Sequence, residues 1–402
     1  DVLPSGYNLF QFNPQLIPTD MALKRGTQAA EQTIELYKQN HNGDYPKNIA
    51  VVLWGFETAK THGEAIGQIL RYLGVRISEL ASWKREPELI PLSKLGRPRI
   101  NVTINICGFM RDLFSHVLEM LDEAIDLSID AEESLEENYV KAQYLKIKKE
   151  LQRNTKNEKD VDIMARFRIF GPDASEYGSI LPTLIESGAW KKPEELGEIY
   201  MKQMQFAYRR NTRAKPSIGI FKKQLESLDI ITQVRDTVAY AITDLDHYYE
   251  FMGGLYQASN VVGNKKCPSI YVTDTTTVKV ETSTLKTAIN RGVITRTANP
   301  KWVKGMLKYD YSGGKKVSNN VNYLLGFATT TGQVEDESWN QVYNTMIANE
   351  EIQEELKKNN PYAFHDLVEN LLVAIQRKLW NASEEQERIL QELFLELDEY
   401  YI

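Results

Sequence analysis

The sequence predicts an α/β fold, in which a parallel flavodoxin- or Rossmann-like sheet near residues 45–130 precedes a larger, α-rich α+β region. A continuous apolar run at 48–54 and a stretch rich in β-branched residues at 99–107 carry this prediction. Each is strand-sized, each is followed by a glycine, and a helical segment comes next. Strands that alternate with helices indicate parallel βαβ units with right-handed crossovers.

The first half of the chain alternates turns, helices and strands. Glycines punctuate the pattern: Gly55 follows the first strand, Gly74 closes the helix after it, and Gly108 follows the third strand. In order, the predicted elements are an arm of turns and a helix near 21–38 within residues 1–46, a strand at 48–54, a helix at 62–73, a strand at 75–78, a strand at 99–107 and a long helix from residue 111.

Residues 119–160 are very polar, acidic through residue 137 and basic from residue 141, with too few apolar residues for a sheet. This pattern predicts one or two exposed helices that bridge the halves, followed by a flexible loop. The predicted domains are an N-terminal arm and helix (1–46), a parallel α/β domain (47–130), a charged helical connector (131–160) and a mainly helical α+β domain (161–402).

The second half is predicted to be mainly helical. A capping box formed by Ser383 and Gln386 begins the last helix. Short strands are predicted at 165–170, 230–235 and 269–274. Helices are predicted near 179–187, 193–209, 217–228, 245–259, 284–297, 301–309, 316–326, 338–348, 350–358, 361–379 and 384–400.

Composition is that of an ordered soluble protein, with 42% hydrophobic and 26% charged residues among 402. No apolar run approaches the roughly 20 residues that cross a bilayer. The net charge of −7 argues against non-specific nucleic-acid binding. Cys107 and Cys267 are far apart and form no Cys-x-x-Cys pattern, which suits a reducing compartment and predicts a cytoplasmic location. The chain opens without an initiating Met or a secretory leader, and we expect a portion of a longer protein.

Several enzyme classes are set aside because their motifs are missing. The glycine- and lysine-rich stretch at 313–316 lacks the spaced first glycine and the Ser or Thr of a Walker A loop. The dinucleotide fingerprint, the G-x-S-x-G elbow and the H-E-x-x-H motif are also absent. We therefore expect that this chain does not hydrolyse ATP alone and is not a zinc protease.

Residues 242–254 hold the densest chemistry in the sequence. Two carboxylates, an imidazole and two phenols, those of Asp244, Asp246, His247, Tyr248 and Tyr249, precede a glutamate, a phenylalanine and a diglycine. Groups that carry protons or bind metals, set beside aromatic rings, are typical of a functional site.

Ten short motifs, taken in order, resemble one family. They are VLPSGYN (2–8), LWG (53–55), KTHGE (60–64), LGRPRIN (95–101), FMRDLF (109–114), RIFG (168–171), YG (177–178), DLDHYY (244–249), NPKW (299–302) and ATTTG (328–332). Together they are similar to the C-terminal part of the large subunit shared by cobaltochelatase and magnesium chelatase. The DHYY and YG stretches resemble the cobalt branch more closely.

The resemblance implies a large subunit that binds a metal-free tetrapyrrole and works with two smaller partners, an AAA+ ATPase subunit and its companion subunit. ATP would be used by these partners, which agrees with the missing Walker A loop. The family also carries an upstream segment with a glutamate central to metal insertion, and this sequence has no such segment. We therefore expect that the isolated chain does not insert metal alone.

Metal insertion removes two pyrrolic protons, strips water from the ion and holds the flat ring against it. A carboxylate or neutral imidazole suits the proton transfer, so Asp244, Asp246 and His247 are the predicted catalytic groups, with His247 also a transient metal ligand. Cobalt accepts imidazole nitrogen, whereas magnesium prefers oxygen. We predict no intrinsic cofactor, because the divalent metal is a substrate.

Aromatic walls and basic clamps are predicted for the rest of the tetrapyrrole site. Walls suit the flat ring, while Arg or Lys suits its peripheral carboxylates. The predicted walls are Tyr248, Tyr249, Phe251 and Trp302, and the predicted clamps are Arg97, Arg99, Arg111 and Lys301. Two turns at the carboxyl ends of strands add the substrate-binding candidates Lys60, His62 and Glu64, and Arg111 with Asp112.

Each candidate also has a structural alternative. His247 is equally interpreted as a structural histidine, and Asp244 as the N-cap of the helix at 245–259. Trp302 is alternatively a core anchor, because Asn299 and Pro300 are typical of a helix start. The threonines before Gly332 either hold a carboxylate or end a helix with glycine at C′.

The predicted function is therefore that of the C-terminal portion of an ATP-dependent metallochelatase large subunit, a ligase that inserts cobalt into a corrin precursor in cobalamin biosynthesis. One alternative is a magnesium chelatase large subunit that acts on protoporphyrin. A second alternative is a non-catalytic module that binds the tetrapyrrole or docks the ATPase. We expect no nucleic-acid partner and no membrane span.

Overall fold

The computed structural model describes residues 13–78, 86–153, 157–263 and 267–399. The VLPSGYN motif at 2–8 lies outside the described residues. The strands are β1 Asn48–Leu53, β2 Val75–Ile77, β3 Pro87–Leu89, β4 Asn101–Ile106, β5 Ile169–Gly171, β6 Phe206–Arg209, β7 Thr212–Pro216, β8 Ile230–Arg235, β9 Ser269–Asp274 and β10 Glu281–Thr284.

Helices make up most of the remaining structure. They are α1 Asp20–Asn40, α2 Gly55–Thr61, α3 Glu64–Leu73, α4 Leu92–Leu95, α5 Gly108–Leu113, α6 Ser115–Asp130, α7 Tyr139–Leu151, α8 Glu158–Ala165, α9 Leu181–Glu186, α10 Pro193–Gln203, α11 Ile218–Leu225, α12 Asp246–Tyr248, α13 Gly254–Val261, α14 Leu285–Gly292, α15 Pro300–Leu307, α16 Asp310–Thr331, α17 Asp336–Met346, α18 Glu350–Asn359, α19 Pro361–Gln376 and α20 Glu384–Glu399. Two π-helical segments, Tyr249–Gly253 and Val293–Thr297, continue α12 and α14. No helix within the described ranges has the length and apolar character needed to span a membrane.

The chain folds into two compact units, each assembled from separate stretches of sequence. The sheet unit comprises Asp1–Gly178, Lys202–Asp236 and Lys266–Thr282, and the helical unit comprises Ser179–Met201, Thr237–Lys265 and Ser283–Ile402. This division differs from the four predicted domains. The strands at 230–235 and 269–274, expected in the second domain, instead pair with the first sheet.

The sheet unit is built on eight strands in the order β10-β9-β8-β1-β4-β5-β6-β7. The pairs from β9 through β5 are parallel, and β6 and β7 continue the sheet in antiparallel register. All residues of β1 and β4 are buried. The continuous apolar run of β1 predicts this burial. The predicted α/β class with a parallel sheet is confirmed.

The strand order reverses at β1, because β4 and β5 lie on one side of it and β8 and β9 on the other. Open α/β sheets bind ligands in the crevice outside the carboxyl ends of strands at such a switch point. The turns that follow β1, β4 and β8 are therefore the part of the sheet unit where a site is expected.

The segment predicted as the second strand of the main sheet is only the three-residue β2, which pairs with β3 in a separate antiparallel hairpin. Its central residue Arg76 is exposed and forms an ion pair with Glu88 across the hairpin. An exposed arginine is incompatible with a strand covered on both faces, which explains why β2 stays outside the parallel sheet.

The charged connector is better packed than its composition predicts. Helix α6 buries Val117, Leu121 and Ile125 at helical spacing, and α7 buries Val140 and Ile147. One apolar stripe of this kind is enough to fix a helix on a core even when its other faces are highly charged. Both helices are therefore parts of the sheet unit rather than a bridge between halves.

The helical unit is organised around α16, most of which is buried. Glycines allow its neighbours to approach closely. A Cβ at Gly326 would meet the ring of Tyr249, one at Gly253 would meet the side chain of Thr330, and one at Gly254 would meet the ring of Tyr200. The diglycine of the 242–254 segment therefore serves close packing.

Candidate functional site

The helical unit holds an exposed imidazole on a buried carboxylate. His247 is 61% exposed, and its Nδ1 lies 2.7 Å from Oε2 of Glu250, whose side chain is 2% exposed. The other Glu250 oxygen accepts hydrogen bonds from the backbone N–H and the hydroxyl of Ser179, at 2.6 and 3.0 Å. The hydrogen bond to Glu250 raises the pKa of His247. With Nδ1–H donating to Glu250, Nε2 is the basic nitrogen of the neutral ring.

A π-helical turn presents this pair. The sequence predicts a continuous helix at 245–259, but the segment Tyr249–Gly253 forms a π turn between α12 and α13. Single π turns inside α-helices occur frequently at functional sites. Glu250 is the candidate residue that the sequence analysis did not name. The only sequence signal for it was its position three residues after His247, which places the two on one helix face.

Asp244 is a structural anchor, and its prediction as a base or ligand is corrected. It is fully buried, and its carboxylate accepts hydrogen bonds from Ala241 N and Asn320 Nδ2, each at 2.7 Å. Arg296 Nε lies 3.3 Å from the same carboxylate. It closes the short 3₁₀ turn Ile242–Asp244 rather than capping the helix at 245–259. The Asp244 carboxylate is therefore buried and committed to contacts within the helical unit.

Asp246 stays close to the exposed imidazole. Its Oδ1 accepts the backbone N–H of His247 at 2.8 Å and lies 3.8 Å from Nδ1 of the ring. The side chain is partly exposed, so its carboxylate is accessible to solvent. Of the predicted catalytic triplet, the structure therefore keeps His247 and Asp246 together at the surface of the helical unit.

The predicted aromatic walls lie in the core. Tyr248, Tyr249 and Phe251 are all buried, so their prediction as walls of a ligand site is corrected. The Tyr249 hydroxyl has no hydrogen-bond partner in the described part of the chain, and burial raises its pKa. Trp302 is half-buried, and the exposed Lys301 precedes it.

The helix-start alternative for the NPKW motif agrees with the structure. Asn299 Oδ1 accepts from the backbone N–H groups of Lys301 and Trp302, at 2.9 and 3.3 Å. Pro300 is the first residue of α15. The threonines before Gly332 likewise end a helix. The hydroxyls of Thr330 and Thr331 donate to carbonyls one turn back in α16, and Gly332 has the left-handed conformation.

Lys316, which no motif singled out, lies beside Asp244. Its Nζ donates to the backbone oxygen of Asp244 at 2.7 Å and lies 5.8 and 5.7 Å from the ring centroids of Tyr240 and Tyr323. Burial lowers the pKa of Lys316 and raises that of Tyr323 to about 12. Cation–π contacts of this kind stabilise a partly desolvated ammonium.

A second group with metal-ligating side chains lies on α19. Ligand atoms of His365, Asp366 and Glu369 all fall within 4.8 Å of one another. Two of the three already have charged neighbours, because Lys315 Nζ lies 3.1 Å from Asp366 and Asp398 lies 3.3 Å from His365 Nε2. Asp366 and His365 therefore each have a neighbour of their own within the described residues.

In the sheet unit, Lys60 lies at the switch point. Its Nζ is 3.1 Å from Oδ2 of Asp236, which follows β8. The nearby Glu57 was missed by the sequence analysis. It is buried, one of its oxygens accepts from the hydroxyl of Thr61 at 2.8 Å, and the other has no partner among the described residues. Burial raises the pKa of Glu57 to about 8.

His62 and Glu64 serve the turn that joins α2 to α3. His62 ends α2 with a φ of 58°, in the left-handed region. Glu64 is buried and pairs with Arg25, whose guanidinium also donates to the carbonyls of Thr275, Thr277 and Val278. The prediction that Glu64 binds substrate is therefore corrected, because its charge is compensated inside the unit.

Arg111 and Asp112 form a bidentate ion pair after β4. Arg111 Nε and Nη2 donate to the two Asp112 oxygens, at 2.7 and 3.0 Å. Arg111 Nη1 donates to the carbonyls of Asp173 and Glu176, and the guanidinium lies 5.7 Å from the centroid of the Tyr177 ring. The hydrogen bonds from Arg111 lower the pKa of Asp112.

A cavity of about 370 Å³ opens beside this ion pair. It lies between the turn after β4, the first turns of α6 and the antiparallel strands β6 and β7. The side chains that line it are mostly polar or charged, and include three arginines. They are Arg111, Asp112, Ser115, Leu118, Glu119, Ala174, Tyr208, Arg209, Thr212 and Arg213.

Arg97 and Arg99 lie at the opposite edge of the sheet, just before β4. Both are buried, and the five N–H donors of Arg99 bind Glu133 and the carbonyls of residues 73, 74 and 90. Arg97 donates to three backbone carbonyls, and burial lowers its pKa to about 10. Their prediction as carboxylate clamps is corrected, because Arg97 is buried and the donors of Arg99 are committed to the fold.

The sequence profile of the CobN/Magnesium Chelatase family matches residues 1–387, nearly the whole chain. The chain belongs to this family. The predicted relationship is therefore confirmed, and the motifs in the described residues fall on the turns and helices discussed above. The CobN/magnesium chelatase fold thus places the exposed His247 pair in the helical unit and the Lys60 and Arg111 turns in the sheet unit.

Named relatives come from both branches of the family. The chain is 32% identical to the aerobic cobaltochelatase subunit CobN of a Sinorhizobium species, over 94% of this chain and 30% of that protein. It is 31% identical to the chloroplastic magnesium-chelatase subunit ChlH of indica rice, over 99% of this chain and 28% of that protein. The chain therefore spans about a third of the length of the curated relatives that it matches.

A solved structure of a family member has the same fold as this chain. The catalytic subunit of cobaltochelatase from Mycobacterium tuberculosis superposes with a TM-score of 0.90 at 30% sequence identity, over 96% of this chain and 32% of that chain. The prediction that the His247 group and the arginine-bearing turns line one tetrapyrrole cavity remains a prediction, because the two groups belong to different units.

Proposed function

We propose that this chain is the C-terminal portion of the tetrapyrrole-binding large subunit of an ATP-dependent metallochelatase. The observation that carries the proposal is the pairing of exposed His247 with buried Glu250, in a chain of the CobN/magnesium chelatase family. An imidazole held in one tautomer by a buried carboxylate is a suitable proton acceptor near neutral pH.

Metal insertion exchanges two pyrrolic protons for one divalent ion. In the proposed mechanism, Nε2 of neutral His247 accepts one pyrrolic proton, releases it from the exposed ring to solvent and then accepts the second. The Glu250 carboxylate stabilises the imidazolium that forms each time. The two Ser179 hydrogen bonds hold the Glu250 carboxyl group in place. Asp246, 3.8 Å from the ring, adds a second negative charge that favours the same product.

Cobalt is the proposed metal, and magnesium is the alternative. Identity with the cobaltochelatase and magnesium-chelatase relatives is nearly equal, at 32% and 31%, so the donor set carries this choice. The imidazole nitrogen of His247 is a ligand that Co²⁺ accepts readily, whereas Mg²⁺ prefers oxygen ligands and retains its waters. The corresponding macrocycle would be a corrin precursor for cobalt or protoporphyrin for magnesium.

ATP hydrolysis is assigned to partner subunits, an AAA+ ATPase subunit and its companion, in a cytoplasmic assembly. The chain carries no Walker A loop of its own. The proposed role of the partners is to drive a conformational change in the large subunit, while this chain supplies groups that bind the ring and accept its protons.

Reconstitution of the assembly tests the catalytic role. Product formation is followed by absorbance with His247→Ala, and with His247→Gln as a variant that retains a polar side chain. We expect loss of turnover with tetrapyrrole affinity retained. The matched control is His41→Ala, which alters a histidine stacked on Tyr37 in the sheet unit. Unchanged turnover in His247→Ala would remove this residue from the mechanism.

The second candidate function is a non-catalytic module for tetrapyrrole binding or ATPase docking. The burial of Tyr248, Tyr249 and Phe251 favours this alternative, because it leaves the His247 group with fewer aromatic walls than the sequence predicts. Tight porphyrin binding by the chain, together with wild-type turnover of His247→Ala in the assembly, would support the module.

A further inference from the structure

Two phenylalanines stack at the carboxyl edge of the sheet. Phe56 lies in the first turn of α2, after β1, and Phe109 lies in the first turn of α5, after β4. Their ring centroids are 4.3 Å apart and their planes differ by 10°. Phe56 is nevertheless 62% exposed, so one face of the stack is open to solvent.

A third aromatic ring extends this surface. Tyr177, in the turn after β5, is 64% exposed, and its backbone oxygen accepts the N–H of Gly108 at 2.9 Å. Leu113, at the end of α5, is also exposed. We call Phe56, Phe109 and Tyr177 the aromatic platform.

The glycines that end β1 and β4 hold the platform in place. A Cβ on Gly55 would collide with the ring of Phe109, and a Cβ on Gly108 would lie 2.8 Å from the backbone and ring of Tyr177. The rings therefore lie directly on the backbone at the carboxyl edge of two adjacent parallel strands. The fold thus presents apolar rings at the edge where open α/β sheets bind ligands.

Next to the platform lies the cavity, which is lined by arginines that can bind a carboxylate. Arg111 contacts the Tyr177 ring and lines the 370 Å³ cavity, but nearly all of its donors are committed to Asp112, Asp173 and Glu176. Arg213 lines the same cavity, is exposed and makes no ion pair within the described residues. Its guanidinium is available for bidentate contact with a carboxylate.

We propose that the aromatic platform stacks one face of a flat conjugated macrocycle while Arg213 binds one of its peripheral carboxylates. This inference rests on the proposed function, because it assigns part of the tetrapyrrole site. The cavity volume is at the lower end of the range for ligand pockets. The cavity therefore suits one carboxylate side chain of the macrocycle, while the macrocycle itself stacks on the platform. Because exposed rings that pack on the backbone are already held in place, the platform is pre-organised for stacking.

Titration of the chain with metal-free deuteroporphyrin IX tests the proposal by absorbance and tryptophan quenching. Phe56→Ala and Tyr177→Ala are each expected to weaken binding about tenfold, because each removes one stacking contact. Phe56→Trp is expected to retain affinity. Both altered side chains are mostly exposed, so folding is preserved, which circular dichroism checks. Tyr309→Ala, an equally exposed tyrosine in the helical unit, is the matched control and is expected to bind as the wild type does.

The dimethyl ester of the same porphyrin separates ring stacking from acid binding. Arg213→Gln is expected to weaken binding of the diacid several-fold and leave the ester unchanged, whereas the platform variants weaken both. Wild-type affinity in Phe56→Ala and Tyr177→Ala would overturn the inference while leaving the proposed function intact. Wild-type turnover in His247→Ala with weakened binding in the platform variants would overturn the catalytic role alone.

Discussion

Glu250 is almost fully buried, yet the imidazole that it binds, that of His247, is mostly exposed, with 2.7 Å between Glu250 Oε2 and His247 Nδ1. The pair therefore joins a buried carboxyl group to an imidazole that solvent can reach. The chain supplies the second anchor of this arrangement from Ser179, 71 residues earlier in sequence.

The first prediction concerns the pKa of His247. Glu250→Gln keeps the shape of the side chain but removes its charge, so the pKa of His247 is expected to fall towards its ordinary value. Titration of the imidazole C–H signals by NMR measures this change. His116, in the sheet unit, is the internal control, because burial rather than Glu250 shifts its pKa. An unchanged pKa of His247 would contradict the hydrogen bond as the cause.

The second prediction concerns stability at different pH values. The pKa of His247 is raised in the folded state, so the pair stabilises the fold fully below the unfolded pKa near 6.5. This stabilisation is lost as pH rises through the folded value. Glu250→Gln is therefore expected to destabilise the protein more at pH 5.5 than at pH 9, as measured by urea unfolding. An equal loss at both pH values would point to packing alone.

The third prediction concerns Glu57. Burial raises its pKa from 4.5 to about 8, so the folded state binds a proton more tightly than the unfolded state. Stability from this residue is present below pH 4.5 and is lost as pH rises to 8, by on the order of 5 kcal/mol as an upper figure. Glu57→Gln is expected to stabilise the protein at pH 9 and to flatten the profile. The exposed Glu35→Gln is the control.

The fourth prediction tests the close packing of the diglycine. Gly253→Ala places a methyl group against Thr330 and is expected to destabilise the fold by about 1–3 kcal/mol. Gly305→Ala, in α15, has no atom within 4 Å of the added methyl group and is expected to be neutral or to stabilise by up to about 1 kcal/mol. Urea unfolding compares the two. Similar effects in both variants would show that the helix, rather than Thr330, sets the requirement.

The fifth prediction separates fold from ligand binding at the amino edge of the sheet. Arg99→Lys leaves Glu133 and several carbonyls without donors, and is expected to destabilise the protein by about 3 kcal/mol or more. Arg76→Lys, in the exposed pair with Glu88, is expected to change stability by less than about 1 kcal/mol. Thermal unfolding measures both. Weaker porphyrin binding by folded Arg99→Lys would restore Arg99 to the site.

The sequence predicts the parallel strands well, because a strand covered on both faces leaves a continuous apolar run. Strand β1 has this signature, β4, β8 and β9 are rich in β-branched residues, and β8 and β9 match their predicted bounds. The antiparallel β6 and β7 were missed, since their residues are partly exposed and lack such a run. Their register is fixed by pairing with β5, which a local pattern does not contain.

The candidate site is less predictable, because residue type does not reveal which way a side chain faces. Tyr248 and Tyr249 were predicted as walls from their chemistry, but both are buried in the core, Tyr248 at the end of α12 and Tyr249 at the start of the π turn. Phe56 and Phe109 were missed for the opposite reason. A phenylalanine beside a glycine is typical of a core, and only the tertiary fold shows that one of these rings is open to solvent.

Strand β1 begins at Asn48, but one of its two neighbours, β8, begins at Ile230. While the ribosome is still making the intervening residues, one hydrogen-bonding edge of β1 has no native partner. Such an edge can pair with another nascent chain, and long-range pairing of this kind slows folding. Truncation before β8 would therefore leave an incomplete sheet with an unpaired edge that is prone to aggregation. We expect a chain of this architecture to depend on chaperones during synthesis.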